Sequence, residues 1–350
     1  VNQVRVLIAS YLEPPLVEGI RSVDPRLTVI YRADLLGRPR YPGDHTAPLE
    51  QTPSQAAEWD GLVAGAEVMF DTFRPRSDRL PERAPCLRWI QFSSSGVAAV
   101  VQATGLADAD VVVTNAAGIH ARPLAEFVLL AMLYFAKRMP RALADQRAHR
   151  WRRFAVDTLP GKTLGVVGLG RVGAEVARVA QAAGMRVVAT RRTTWTETAA
   201  QRGTRTAEPE SPTIHPPSYL PTLLAESDYV ALTVPLTGET SGLIGERELG
   251  LMKSGAVLIN VARGQVVDQP ALVLALRSGR LAGAALDVVT AEPLTPDSPL
   301  WDLPNVLVTP HSMSTALDEN ERVVHLFCQN LRRYLAGQPL ANVFDRRRGY

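Results

Sequence analysis

The stretch Lys162–Ala177, KTLGVVGLGRVGAEVA, decides the fold. Its apolar run Leu164–Val167 passes directly into Gly168-x-Gly170-x-x-Gly173 and then into a helical pattern. Gly168 permits the tight turn, Gly170 lets backbone approach a pyrophosphate, and Gly173 lets the helix pack on the strand, while the helix start favours negative charge. Leu169, Arg171 and Val172 complete the turn, and a second strand is expected at Arg186–Thr190. Strand before, helix after and a second strand make this a dinucleotide-binding turn rather than an ordinary glycine-rich connection. The nearby Gly161-Lys162-Thr163 is no triphosphate-binding loop, because position 156 is Val156 and the segment precedes a strand.

Working outward, further apolar runs recur between helix-like stretches: Val4–Ala9, Leu27–Tyr31, Glu67–Phe70, Leu87–Gln91, Val111–Thr114, Tyr229–Val234, Ala256–Val261, Ala282–Val288 and Val306–Val308. Most are continuous rather than alternating, as parallel strands covered on both faces require. The class is α/β. The number of strands exceeds one ordinary sheet, so we expect two doubly wound parallel-sheet domains, Rossmann or flavodoxin-like, with a cleft between them. A long helix is expected over Pro123–Arg150, joining the two, and another over Thr315–Ala336 with Gly337 as its stop. Leu36–Ser54 and Thr193–Ser218 are rich in Pro, Thr, Ser and charge and read as surface loops. Arg346, Arg347 and Arg348 read as a solvated tail.

Composition narrows the function. At 350 residues with 46% hydrophobic side chains, the chain can bury a large core. Its 38 basic and 35 acidic residues leave a net charge of only +3, too balanced for nucleic acid or an acidic membrane surface. Only Lys137, Lys162 and Lys253 are lysines, so any single arginine is weak evidence of function. Cys86 and Cys328 show neither disulfide-framework nor metal-ligand spacing, which points to a reducing, cytoplasmic setting and to no metal site. The first residues read as a strand rather than an export signal, and the longest apolar run, Phe127–Ala136, is too short to span a membrane.

The end of the second strand selects the cofactor, because NAD needs an acidic partner for its ribose whereas NADP needs positive charge for its 2′-phosphate. Here it ends in Arg191-Arg192-Thr193, with no carboxylate. Two charge-assisted hydrogen bonds of about 1.5–3 kcal/mol each would favour the phosphate roughly a hundredfold or more. NADP(H) is the expected cofactor, with NAD(H) possible. Downstream, Asn260–Asp268 (NVARGQVVD), Leu286–Leu294 (LDVVTAEPL) and Val308–Ser312 (VTPHS) each follow an expected strand. Strand ends face the ligand crevice in this fold, so Arg263, Glu292 and His311 can converge there. Arginine grips a carboxylate, histidine exchanges a proton near neutral pH, and a carboxylate orients the ring.

These blocks, with GIHARPLAEFVLLAML (118–133) and LLAESDYVALTVPLTGETSGLI (223–244), resemble the D-isomer-specific 2-hydroxyacid dehydrogenase family, glyoxylate and hydroxypyruvate reductases included. The resemblance implies a discontinuous substrate domain, residues 1–118 with 314–350, around a cofactor domain at 119–313. It implies Arg263 as the substrate-binding arginine, His311 as acid and base, and Glu292 as the carboxylate paired with it. It places Asp287 at the nicotinamide carboxamide, Val234, Pro235, Val261 and Ala262 along the dinucleotide, and Ser95 and Gly96 at the substrate carboxylate. It further implies a small 2-oxo or 2-hydroxy acid as substrate and a homodimer formed largely through the cofactor domains. Ala98 stands where the family usually has an acidic residue, and Ser312-Met313-Ser314 where it often has a small turn. Phe73 and Arg74 are further candidates for the substrate side. Two other functions stay open: a dehydrogenase of another small anion such as phosphite, and a non-catalytic dinucleotide-sensing regulator of the C-terminal binding protein kind.

Overall fold

The computed structural model describes residues 3–73, 76–192 and 212–349. The chain divides into two compact units, Val1–His120 with Thr315–Tyr350, and Ala121–Ser314.

The first unit is built on strands β1 (Val4–Ile8), β2 (Leu27–Ile30), β3 (Val68–Phe70), β4 (Trp89–Gln91) and β5 (Val112–Thr114), all paired in parallel in the order β2-β1-β3-β4-β5. The inner strands β3 and β4 are buried along their whole length, which is why their sequences run apolar without alternation. One face packs against Trp59, Leu80 and Val101, among others. The other face is covered by helices Pro14–Arg21 and Glu319–Leu335, the latter inserting Phe327 between Phe70 and Trp89 with ring centroids 5.2 Å apart in both pairs. A segment more than two hundred residues downstream thus completes the amino-terminal sheet. The join is polar at its centre: fully buried Asn330 donates through Nδ2 to Gln91 Oε1 (2.9 Å) and to Ala341 O (3.1 Å), and its Oδ1 accepts from Ala341 N (2.8 Å).

The second unit holds β6 (Thr163–Val167), β7 (Arg186–Thr190), β8 (Thr213–His215), β9 (Tyr229–Leu232), β10 (Val257–Asn260), β11 (Gly283–Leu286) and β12 (Val306–Val308). They form one parallel sheet in the order β12-β11-β10-β9-β6-β7-β8. Helices Ala121–Ala136 and Arg171–Ala182 pack on one face. Leu220–Glu226, Glu246–Leu251 and Gln269–Arg277 cover the other through Leu223, Leu249, Leu272 and Leu276. Order reverses between β6 and β9, the point at which such sheets open a crevice at their carboxyl edge.

The α/β reading and every expected strand hold, and the structure corrects four details. The loop expected over 193–218 contains β8 and a short 3-10 turn, Pro217–Tyr219, while residues 193–211 lie outside the described residues. A three-residue edge strand carries too little periodicity to stand out among the prolines around it. The single helix expected over 123–150 is two, Ala121–Ala136 and Met139–Arg147, broken where Arg138 takes the left-handed φ of 51°. The carboxyl-terminal helix begins at Glu319, leaving Leu317 88% exposed outside it. Arg346 is no solvated side chain, since its Nη2 donates to the carbonyls of Leu106 (3.2 Å), Ala109 (2.8 Å) and Val111 (2.7 Å). Among the described residues, no helix is long and apolar enough to cross a membrane, and no cluster of three or more His, Cys, Asp or Glu is placed to hold a metal.

Asn330→Ala strands buried partners on both Gln91 and Ala341, so it is expected to lower the unfolding free energy by about 3 kcal/mol. The loss would be read as a lower urea midpoint at unchanged slope. A midpoint matching the parent's would show the clamp to be idle.

Candidate active site and dinucleotide site

The glycine turn sits at the switch point. Gly168 has a left-handed φ of 99°, and a Cβ there would come within 2.6 Å of Val234 Cγ1 at the end of β9, so conformation and space both demand glycine. Thr233 Oγ1 pins the turn by donating to Gly168 O at 2.6 Å. Gly170 caps helix Arg171–Ala182 and supplies no side-chain oxygen to its first-turn amides. A Cβ on Gly170 would meet nothing within 4 Å, so the helix start opens onto unfilled space at the carboxyl edge of the sheet. That open, uncapped helix start fits a pyrophosphate.

The other expected contacts distribute along the same edge. Val234 and Pro235 follow β9, Val261 and Ala262 follow β10, and Asp287 follows β11. Arg191 and Arg192 follow β7, Arg191 N donating to His215 O (2.9 Å). Glu239 lies 3.3 Å from Arg192 Nη1, a carboxylate at this strand end that the sequence reading did not foresee. Both side chains are largely exposed, so the pair holds little stabilisation and yields readily to a competing anion. Thr193 lies outside the described residues.

Glu292 and His311 meet: Nδ1 of the ring is 2.8 Å from Glu292 Oε2, and Glu292 Oε1 accepts from Val289 N (3.2 Å). Partial burial alone would push the Glu292 carboxyl up. The hydrogen bond and charge of His311, the Val289 amide and the charge of Arg263 outweigh it and hold the carboxyl below its ordinary range. Arg263 follows β10 in extended conformation, its Nη1 donating to Ala262 O (2.7 Å). Burial draws its guanidinium below the ordinary value, with Glu292 working in the opposite direction. The three side chains predicted from separate strand ends are therefore electrostatically coupled.

Two supporting roles, those of Asn260 and of Asp287 beneath the Arg263 loop and the histidine turn, were not read from sequence. Buried Asn260 shapes the Arg263 loop, its Oδ1 accepting from Ala262 N (3.0 Å) and its Nδ2 donating to Arg263 O (3.0 Å). A polar residue closing an otherwise apolar strand was the available signal. Asp287 organises the histidine turn: its Oδ1 accepts from Thr309 Oγ1 (2.7 Å), Ser312 N (3.0 Å) and Met313 N (3.2 Å), and its carbonyl accepts from His311 N (2.8 Å). This web over-determines the left-handed φ of 51° at His311, a strained conformation for a non-glycine residue.

In the first unit, Ser95 and Gly96 lie beyond the end of β4. Ser95 Oγ donates to Ala116 O (3.0 Å) and is 2.8 Å from His120 Nδ1, whose Nε2 is 3.2 Å from Glu319 Oε1. The serine hydroxyl is thus engaged, whereas the N–H groups of Ser95 and Gly96 meet no protein acceptor among the described residues. Phe73 is buried against Trp59, with ring centroids 5.6 Å apart, and Arg74 lies outside the described residues.

Comparison with known proteins bears on the whole chain. Residues 129–312 match the family model described as D-isomer specific 2-hydroxyacid dehydrogenase, NAD binding domain. A glyoxylate reductase of Aeropyrum pernix is 38% identical over 243 residues, covering 67% of this chain and 69% of that one. Among solved structures, a D-isomer specific 2-hydroxyacid dehydrogenase from Xanthobacter autotrophicus Py2, in complex with NADPH and MES, aligns over 100% of both chains with a TM-score of 0.76 and 31% identity. An NADPH-dependent glyoxylate/hydroxypyruvate reductase from Sinorhizobium meliloti, in complex with NADP and sulfate, aligns over 99% of this chain and 100% of that one with a TM-score of 0.78 and 26% identity. With its glycine turn, its His–Glu pair and these likenesses in hand, the chain belongs to the D-isomer specific 2-hydroxyacid dehydrogenases, NAD(P)-dependent oxidoreductases acting on 2-hydroxy acids.

Proposed function

We propose that the protein reduces a small 2-oxo acid, of the glyoxylate or hydroxypyruvate type, with NADPH as the preferred cofactor. The observation that carries this reading is the 2.8 Å His311–Glu292 pair, coupled to Arg263 at the carboxyl edge of the glycine-turn sheet. When bound, the nicotinamide supplies the hydride that the 2-oxo carbon takes up. His311 gives its proton to the carbonyl oxygen through Nε2, since Nδ1 is engaged by Glu292. Glu292 fixes the ring's orientation and stabilises its protonated form. Arg263 would polarise the carbonyl. In the first unit, the N–H groups of Ser95 and Gly96 are the proposed donors to a substrate carboxylate. Val234, Pro235, Val261, Ala262 and Asp287 would line the dinucleotide, and the glycine turn would hold its pyrophosphate. Arg191, Arg192 and Thr193 would receive the 2′-phosphate.

We further propose a homodimer through the second unit. Leu130, Leu133, Trp151 and Val156 are exposed there, Trp151 at 95%, and such a set of apolar side chains on one unit suits a buried interface. Light scattering of the parent is expected to give twice the chain mass, and Leu130→Glu with Trp151→Arg half of that. A monomeric parent would end the dimer proposal.

The direct test is initial-rate reduction of glyoxylate, hydroxypyruvate and pyruvate, with NADPH and NADH in parallel. Turnover favouring NADPH, with the preference lowered by Arg191→Ala and Arg192→Ala together, is the expected result. Cofactor binding without turnover of any 2-oxo acid would transfer the assignment to a dinucleotide-sensing regulator or an enzyme of another anion. His311→Gln is expected to reduce kcat by about a thousandfold while the NADPH Kd stays near the parent's. Loss of NADPH binding in that variant would contradict a role confined to proton transfer.

The Glu292 carboxyl titrates lower in the folded than in the unfolded chain. Its pairing with His311 therefore stabilises the fold above the ordinary carboxylate range, and that contribution is lost as pH falls through the depressed folded value. The urea midpoint of the parent should exceed that of Glu292→Gln at neutral pH, the gap closing in acid. A gap that widens in acid would reverse the assigned sign.

A further inference from the structure

We propose that His120, as an imidazolium balanced by Glu319, is a positioning residue of the Ser95–Gly96 loop. It fixes the Ser95 hydroxyl and sets one positive charge behind the amides proposed to receive the substrate carboxylate. This inference deepens the reading of the protein as a 2-oxo acid reductase and rests on it.

All the groups concerned lie in the first unit. Ser95 and Gly96 follow β4, and His120 lies beyond β5, the next strand of the sheet. Backbone ties the two loops together, Ala116 N donating to Ser94 O at 3.0 Å. The second loop is pinned in turn: Asn115 Oδ1 accepts from Ala117 N (3.0 Å), and Asn342 Nδ2 donates to Ala117 O (2.9 Å). The imidazole is therefore presented to Ser95 from a held loop.

Ser95 has one hydroxyl proton, directed at Ala116 O, 3.0 Å away. The ring nitrogen 2.8 Å from Ser95 Oγ, His120 Nδ1, is then the donor of that contact. Nε2, 3.2 Å from Glu319 Oε1, meets the carboxylate as a second donor. A ring that donates at both nitrogens is the imidazolium. Glu319 is the first residue of helix Glu319–Leu335, where the helix dipole favours negative charge. Opposite an ionised Glu319, each neutral form of the ring forfeits a contact: either the hydroxyl turns from Ala116 to Nδ1, or Nε2 faces the carboxylate lone pair to lone pair.

The carboxylate depends on the ring as well. Its side chain is 8% exposed and its Oε2 has no partner among the described residues, so His120 is the group that balances it. The charged groups nearby are otherwise engaged. Asp318 pairs with Arg322 (2.7 Å), Glu13 accepts from Asn320 Nδ2 (2.9 Å), and Asp44, beside the Gly43 that lies against the Glu319 carboxylate, pairs with Arg40 (2.7 Å). A substrate carboxylate held by the Ser95 N–H would lie within about 9 Å of the ring, close enough for its charge to count. Glu319, on the opposite side of the ring from Ser95, opposes that attraction from a greater distance. The effect falls on binding, since His311, with its own partner Glu292, is the proton donor.

The test measures KM and kcat for glyoxylate, the NADPH Kd, and Ki for oxamate, a 2-oxo acid analogue that accepts no hydride. The proteins are the parent, His120→Gln, and His120→Gln combined with Glu319→Gln. His120→Gln removes the cation and strands the carboxylate, so KM and Ki are expected to rise together about tenfold, with kcat and the NADPH Kd within about twofold of the parent. The double variant removes both charges and is expected to recover to about threefold above the parent. KM and Ki unmoved in His120→Gln, or a rise that the second substitution leaves undiminished, would overturn the proposal while 2-oxo acid reduction stands. A fall in kcat at unchanged KM would overturn it too. If the stranded Glu319 unfolds the single variant, seen as a lost urea transition, the double variant decides, and KM and Ki equal to the parent's would overturn the proposal. If the parent reduces no 2-oxo acid, the functional reading itself falls and this role with it.

Discussion

The parallel pairing of β6 with β7 on one side and β9 on the other is the constraint on which the second unit depends. Parallel neighbours must be joined by crossovers, and right-handed crossovers bury both faces of the sheet under helices. Every strand then delivers its carboxyl end to the same edge. Gly168, Arg191, Val234, Arg263, Asp287 and His311 are scattered over more than 140 residues of sequence, yet each follows a strand of this one sheet. The reversal of order between β6 and β9 opens the edge at the place where Gly168 and Val234 touch.

Along that edge, buried side chains hold the loops that carry Arg263 and His311. Asn260 shapes the loop that presents Arg263, and Asp287 holds the turn that presents His311. Both are nearly inaccessible, and both spend their hydrogen bonds on neighbouring protein groups, mostly backbone, rather than on solvent. Glu292 and His311, by contrast, remain 39% exposed as side chains. The division is physically sensible: the rigid, hydrogen-bonded groups lie underneath, and the solvent-accessible His–Glu pair lies above them. The same pattern recurs in the first unit, where Asp71 joins the ends of β3 and β4, again from a left-handed backbone position.

Charge placement separates two kinds of carboxylate. Beside Arg192 the opposing carboxylate, Glu239, is exposed and weakly held. At the carboxyl end of β1 the carboxylate, Asp44, is buried and firmly held by Arg40. Exposure thus decides whether a nearby acid is a mobile counter-ion or a fixed part of the interior.

The sequence by itself determined the α/β class, the glycine turn and the placing of Arg263, Glu292 and His311 after strands, because each rests on local order: continuous apolar runs, fixed glycine spacing and residues beyond strand ends. It underdetermined whatever depends on distant partners. β8 is too short to show periodicity and exists through its pairing with β7. The break at Arg138 divides a stretch whose apolar spacing reads as one helix. Arg346 looks solvated until three carbonyls from residues 106–111 gather around it. The supporting roles of Asn260 and Asp287, the placement of Glu239 beside Arg192, and the pairing of Ser95 with His120 were likewise decided only in three dimensions. A hydrogen bond needs two groups within about 3 Å, and the sequence names the groups while only the folded chain sets that distance.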